Sequence, residues 1–98
     1  MYIATMVYEF KADCFADGVR AWEEEVFLEA KGREGLQRME LCTHEPKMFA
    51  IGHWRSPEDA QAFMATGVFA RLTQRIEAML THRPEPDMWQ DSLLFEAE

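Results

Sequence analysis

The sequence has few of the residues that build covalent cross-links or metal sites. Cys14 and Cys42 stand far apart with no CxxC or CxxH spacing, so neither a disulfide framework nor a zinc site is predicted. The three histidines form no cluster with Asp or Glu at metal-ligand spacing, and neither a glycine-rich phosphate loop nor a GxSxG motif occurs. We therefore expect no metal and no cofactor.

Positive charge and long apolar runs are also scarce. The chain has 10 basic against 18 acidic residues, a net charge of −8, which repels both a phosphate backbone and an anionic lipid surface. It has neither a run of about 18 apolar residues nor the basic and small-residue pattern of a signal peptide. These features predict a cytoplasmic protein that binds neither nucleic acid nor membrane.

Apolar residues, by contrast, are abundant for a chain of this size. They make up 48% of the 98 residues, and aromatic residues make up 12%. That content is enough for one packed core and argues against intrinsic disorder. We expect a single domain over residues 1–98.

The segment from His53 to Phe69 gives the clearest local prediction. An apolar strand ends at Trp54, and Ser56 and Pro57 then supply an N-cap and a proline at the first helical position. Thr66-Gly67 interrupts the helical pattern before a second run opens at Val68. This order predicts a strand that leads directly into a broken helix.

The remaining elements follow from hydrophobic periodicity and turn residues. We predict strands over Tyr2–Phe10, Leu36–His44, Met48–Trp54 and Met88–Phe95, and a helix capped by Asp13 that ends near Gly32. The resulting order indicates an α+β fold of the ferredoxin-like split βαβ type, with helices on one face of an antiparallel four-stranded sheet.

The predicted strands carry apolar side chains on both faces. In the first strand Tyr8 and Phe10 alternate with Ile3 and Val7, a pattern that requires cover on both sides of the sheet. Helices can cover one face, and a second copy of the chain is the simplest cover for the other. We therefore predict a homodimer that is joined through the open sheet faces. The two sheets together would form a dimeric α+β barrel.

At the level of motifs, the chain resembles the antibiotic biosynthesis monooxygenase (ABM) domain family. The resemblance spans nearly the whole chain. It depends on Glu34-Gly35 before the second strand, Met39-Glu40-Leu41 within it, Trp54-Arg-Ser56-Pro-Glu58 before the broken helix, and Phe69.

The resemblance implies a pocket between sheet and helices and one of two reactions. Some members let an electron-rich, quinol-like substrate react with dioxygen without metal or flavin, and others bind and degrade haem. Met6 and Thr73 occupy positions where haem degraders carry asparagine and the iron-ligating histidine, so haem degradation is not expected. Phe63 stands where quinol-oxidising members often carry histidine and haem degraders carry tryptophan.

Candidate site residues follow from the chemistry that such a pocket needs. A phenol must lose a proton in a dry cavity, so apolar walls and one or two polar groups are required. We predict His53 and Tyr8 as catalytic residues. The predicted substrate-binding residues are Met6, Trp22, Trp54, Phe63 and Phe69.

Two functions remain open on the sequence alone. One is a cofactor-free monooxygenase acting on an aromatic or quinol-like molecule. The other is a non-catalytic dimer that binds a small apolar ligand or serves as an assembly module. A titratable group that faces the pocket favours the enzyme, and its absence favours the binder.

Overall fold

A computed structural model describes residues 1–97. It contains an antiparallel sheet with strand order β2-β3-β1-β4. The strands are β1 (Tyr2–Glu9), β2 (Leu36–His44), β3 (Lys47–Trp54) and β4 (Glu85–Trp89). Helices follow β1 and β3, as in the split βαβ arrangement. The predicted α+β ferredoxin-like fold is confirmed.

The helices form two groups along the chain. The helical elements are α1 (Phe15–Trp22), a π-helical segment (Glu23–Phe27), α2 (Leu28–Ala30), α3 (Pro57–Met64), α4 (Val68–Ile76) and a short 3-10 turn (Glu77–Met79). The first three run on without a break, and α3 and α4 are the two parts of the predicted broken helix.

The start of α3 and the break after it agree with the sequence prediction. The Asp59 backbone N–H donates to Ser56 Oγ at 3.2 Å, so Ser56 is the N-cap, and Pro57 occupies the first turn. Gly67 has φ +85° immediately before α4, a left-handed conformation that glycine adopts without strain. This turn sets the angle between α3 and α4.

Two boundary predictions were wrong. Asp13 does not cap α1: it has φ +69°, and Cys14 precedes the helix without a side-chain cap. The last strand runs over Glu85–Trp89 rather than Met88–Phe95. Pro86 is accommodated within β4 because this strand lies at the edge of the sheet, where no second neighbour needs its missing N–H.

The sheet has two chemically distinct faces. The inner face, which carries Ala4, Met6, Tyr8, Met48, Ala50 and Trp54, packs against the helices and forms the core together with Phe63, Val68 and Leu72. The outer face carries Ile3, Thr5, Val7, Phe49, Ile51 and His53. It is only partly covered, since 37% of Phe49 is exposed.

An ion-pair network joins α4 to the π-helical segment and to α2. Arg75 contacts Glu24 at 2.9 Å and Glu25 at 3.0 Å, and Arg71 contacts Glu29 at 2.7 Å. The network holds the first helical group against α4. Within residues 1–97, no helix combines the length and apolarity required to span a bilayer.

Candidate functional site

A cavity of about 370 Å³ lies between the inner face of the sheet and the helices. All five residues predicted for substrate binding line it: Met6, Trp22, Trp54, Phe63 and Phe69. Three further methionines also line the cavity, Met39, Met64 and Met88, as do the small residues Ala4, Ala50 and Ala60; none of these was among the predicted substrate-binding residues. Contact of any of these residues with a substrate stays a prediction.

One wall of the cavity is aromatic. The ring centroids of Trp54 and Phe63 lie 5.3 Å apart, and those of Phe63 and Phe69 lie 5.8 Å apart in an edge-to-face arrangement. Phe63 is 1% exposed, so packing fixes the middle ring. A wall of this kind suits a flat aromatic ligand, which can stack or meet ring edges.

Glycine at position 52 is what allows Trp54 to lie where it does. A Cβ on residue 52 would stand 2.8 Å from Trp54 Nε1, closer than ordinary van der Waals contact. The indole of Trp54 therefore folds back over the backbone of Gly52. This close approach leaves the rest of the inner face free for the cavity.

The cavity lining is almost free of polar side-chain groups. Of the residues that line it within the described chain, none is ionisable. Thr5 is also in the lining, but its hydroxyl accepts from Trp89 Nε1 at 3.2 Å and donates to the Asp87 carbonyl at 3.4 Å. The Trp22 Nε1–H is buried and makes no hydrogen bond of good geometry among residues 1–97.

Tyr8, a predicted catalytic residue, lies on the inner face but is not among the lining residues. It is 2% exposed, and its ring stacks on Phe10 with centroids 6.4 Å apart. Burial raises the pKa of Tyr8 to about 12, and the Trp22 Nε1–H, which lies near the Tyr8 hydroxyl without forming a hydrogen bond of good geometry, offsets part of the rise. Tyr8 is therefore a protonated phenol at neutral pH and acts as a donor rather than a base.

His53, the other predicted catalytic residue, lies on the outer face. Its neighbours across the strands are Ile3 on β1 and Arg38 on β2. The sheet separates it from the cavity, so the structure does not bring His53 and Tyr8 together. The role predicted for each stays a prediction, but one substrate in this cavity cannot contact both.

A second, shallower groove crosses the outer face. It has a volume of about 730 Å³ and is lined in part by Ile3, Phe49, His53, Trp89, Leu93 and Leu94. The segment after β4 contributes strongly exposed apolar side chains, with Leu93 100% and Phe95 89% exposed. Cys42 is exposed on the same face.

Comparison with solved structures identifies the fold. SnoaB, a cofactor-independent oxygenase from Streptomyces nogalater solved in a mutant form, superposes with a TM-score of 0.80 at 13% identity, over 98% of this chain and 97% of that chain. An antibiotic biosynthesis monooxygenase gives 0.79 at 14% identity, over 95% and 100% of the two chains. A Nitrosomonas europaea protein of unknown function gives 0.81 at 13% identity, over 99% and 95%.

These likenesses show that the chain has the fold of the antibiotic biosynthesis monooxygenases, as its motifs predicted. At such low identities they establish the fold and not the activity. No family model matches the sequence, and no curated protein matches it.

Proposed function

We propose that the cavity binds a flat, uncharged, electron-rich aromatic molecule, quinol-like in character, and that the chain acts on it as a cofactor-independent monooxygenase. The proposed binding of this ligand is supported by the cavity itself. The cavity has a volume of about 370 Å³, and its walls include Trp54, Phe63 and Phe69. An apolar enclosure of this size suits a small ring system. The oxygenase half is supported by the fold shared with a cofactor-independent oxygenase.

The chemistry of the lining limits how such a reaction can begin. A quinol must lose a proton before it passes an electron to dioxygen, and the side chains around the cavity within residues 1–97 include no base. Tyr8, with its pKa raised to about 12, does not accept that proton at neutral pH. In this proposal the substrate binds in its neutral form and a small fraction of it passes its proton to solvent water at the mouth of the cavity. The resulting anion transfers an electron to dioxygen at once, while the protein holds the ring in position.

The alternative is a non-catalytic protein that binds the same class of ligand. One specific observation favours it, namely that no titratable side chain among those described lines the cavity. Binding without turnover needs only apolar area and shape, both of which the cavity supplies. The two functions differ in whether bound ligand consumes dioxygen.

Oxygen uptake with a panel of hydroquinones tests the proposal directly. Uptake by the wild type that is lost in Ala50→Leu, which fills the cavity, supports the oxygenase. Retained uptake in His53→Ala is expected because His53 faces away from the cavity. Ligand binding without uptake for any hydroquinone would leave the binding protein as the function.

We also propose that two copies pair through the outer face. Phe49 is 37% exposed there, beside the partly covered Val7 and Ile51. Leu93 and Leu94 extend additional apolar surface along the same groove. Burying this surface against a second copy removes it from water, the main favourable term in association.

A further inference from the structure

The indole N–H of Trp22 is a polar group without an assigned partner. Trp22 is 1% exposed and lines the cavity. Its Nε1–H lies near the Tyr8 hydroxyl, whose pKa it lowers, but it makes no hydrogen bond of good geometry within residues 1–97. A buried donor left unpaired is costly, and native structures rarely keep one without a reason. An acceptor that arrives with a ligand would remove this cost.

The other polar groups near the cavity supply no strong side-chain acceptor for a ligand. The Thr5 hydroxyl is engaged with Trp89 and with the Asp87 carbonyl. The Trp54 indole nitrogen is itself a donor and lies over Gly52. The lining therefore offers donors to a ligand, together with thioether sulfurs that accept only weakly.

We propose that Trp22 Nε1–H donates a hydrogen bond to a carbonyl-type oxygen of the ligand and that this bond sets the ligand class. Neutral aromatic ketones then bind better than hydrocarbons of the same shape, because they pair the donor. Aromatic carboxylates are rejected, because the described lining has no cation to pair a buried anion. This inference depends on the binding half of the proposed function.

A matched ligand series tests the assignment by calorimetry. Tetralin, α-tetralone and tetralin-1-carboxylate share one ring framework and differ in a single substituent. A ketone is preferable to a quinone as a probe because a quinone could react with the exposed thiol of Cys42. We expect wild-type protein to bind α-tetralone about tenfold more tightly than tetralin, the gain from one buried hydrogen bond, and not to bind the carboxylate.

Two tryptophan variants locate the donor. Trp22→Phe removes the N–H and keeps an aromatic ring, so we expect the ketone preference to fall to less than about twofold. Trp54→Phe removes the other indole of the lining and should preserve the preference. A preference lost in Trp54→Phe but kept in Trp22→Phe would overturn the assignment.

Tetralin binding distinguishes failure of this inference from failure of the proposed function on which it rests. If tetralin and α-tetralone bind equally, the cavity is a ligand site but the role of Trp22 is wrong. If neither binds, the binding half of the proposed function is wrong, and the role of Trp22 falls with it.

A measurement on wild-type protein covers the case in which Trp22→Phe fails to fold. The chain has three tryptophans, so the indole N–H resonance of Trp22 can be assigned by elimination with Trp54→Phe and Trp89→Phe. We expect α-tetralone to shift this resonance downfield and tetralin to leave it close to its free position. An unshifted resonance with bound ketone would contradict the proposed bond.

Discussion

The Cα of Gly18 in α1 lies against the ring of Phe10, so closely that a Cβ on residue 18 would overlap the ring. Glycine inside a helix costs about 1 kcal/mol relative to alanine. Here the cost is offset because the missing side chain lets α1 approach the end of β1. The buried Phe10 ring takes the space that a side chain would need.

Gly18→Ala should therefore destabilise the protein despite the better helix propensity of alanine. Forcing a methyl group into a packed core costs about 1 to 3 kcal/mol, which exceeds the gain of about 1 kcal/mol in propensity. Urea denaturation measures the change. In the Phe10→Leu background the same substitution should cost less, since the ring is gone; an equal cost in both backgrounds would contradict the contact.

Tyr8 should make the free energy of unfolding depend on pH at the alkaline end. Its pKa is raised to about 12 in the folded chain from about 10 in the unfolded chain. Its contribution to stability is therefore complete below about pH 10 and declines by about 1.4 kcal/mol per pH unit as the pH rises towards 12. Tyr8→Phe should remove this decline and Tyr2→Phe should retain it, as measured by denaturant unfolding across this range.

A larger side chain at position 50 should close the cavity. Ala50 lines it and is nearly buried, so Ala50→Leu should weaken tetralin binding by at least about tenfold. Ala70→Leu is the matched control because residue 70 is exposed on α4. Unchanged affinity in Ala50→Leu, by calorimetry, would place the ligand elsewhere.

Charge on the outer face should separate the proposed dimer. Phe49→Glu would bury an unpaired carboxylate in the interface, a cost of about 3 kcal/mol or more, and should raise the dissociation constant at least about a hundredfold. Leu28→Glu is the control, since Leu28 is an exposed apolar residue on the helical side, 65% exposed. Light scattering that gives one mass for all three proteins would refute the interface.

The pH dependence of oxygen uptake should be set by the pKa of the substrate. Because the described cavity lining has no base, kcat/KM should rise with pH and level off near the pKa of the hydroquinone itself. A halogenated hydroquinone of lower pKa should move the midpoint down by the same amount. A midpoint that is identical for both substrates would instead identify a titrating group of the protein.

The sequence predicted the fold because its local signals agree with one another. Ser56 with Pro57 fixed the start of α3, and Gly67 fixed the break before α4. The boundaries that were predicted wrongly lie where tertiary contacts, rather than local sequence, determine the secondary structure. The predicted last strand begins at Met88, after Pro86, yet Pro86 pairs with Met6 as part of an edge strand. The π-helical segment has no sequence signature, and the ion pairs that join it to Arg75 of α4 form only after the two elements pack together.

The candidate site could be predicted in part. The aromatic wall could be predicted because Trp54 ends the strand before the broken helix, and Phe63 and Phe69 belong to the apolar stripes of its two parts. The position of His53 could have been read from the strand itself, because His53 and Trp54 are adjacent and must point to opposite faces. The unpaired donor of Trp22 could not be predicted, since it depends on which acceptors lie nearby after packing.

Four of the seven methionines lie around the cavity: Met6, Met39, Met64 and Met88. Thioethers are readily oxidised to sulfoxides, which are polar and chiral and disrupt apolar walls. If dioxygen is activated beside them, stray oxidant is captured where it forms, and mass spectrometry of spent protein would find added oxygen concentrated on these four side chains. The methionine sulfoxide content of the cavity would then rise with the number of turnovers, and the affinity of the cavity for apolar ligands would fall as it rises.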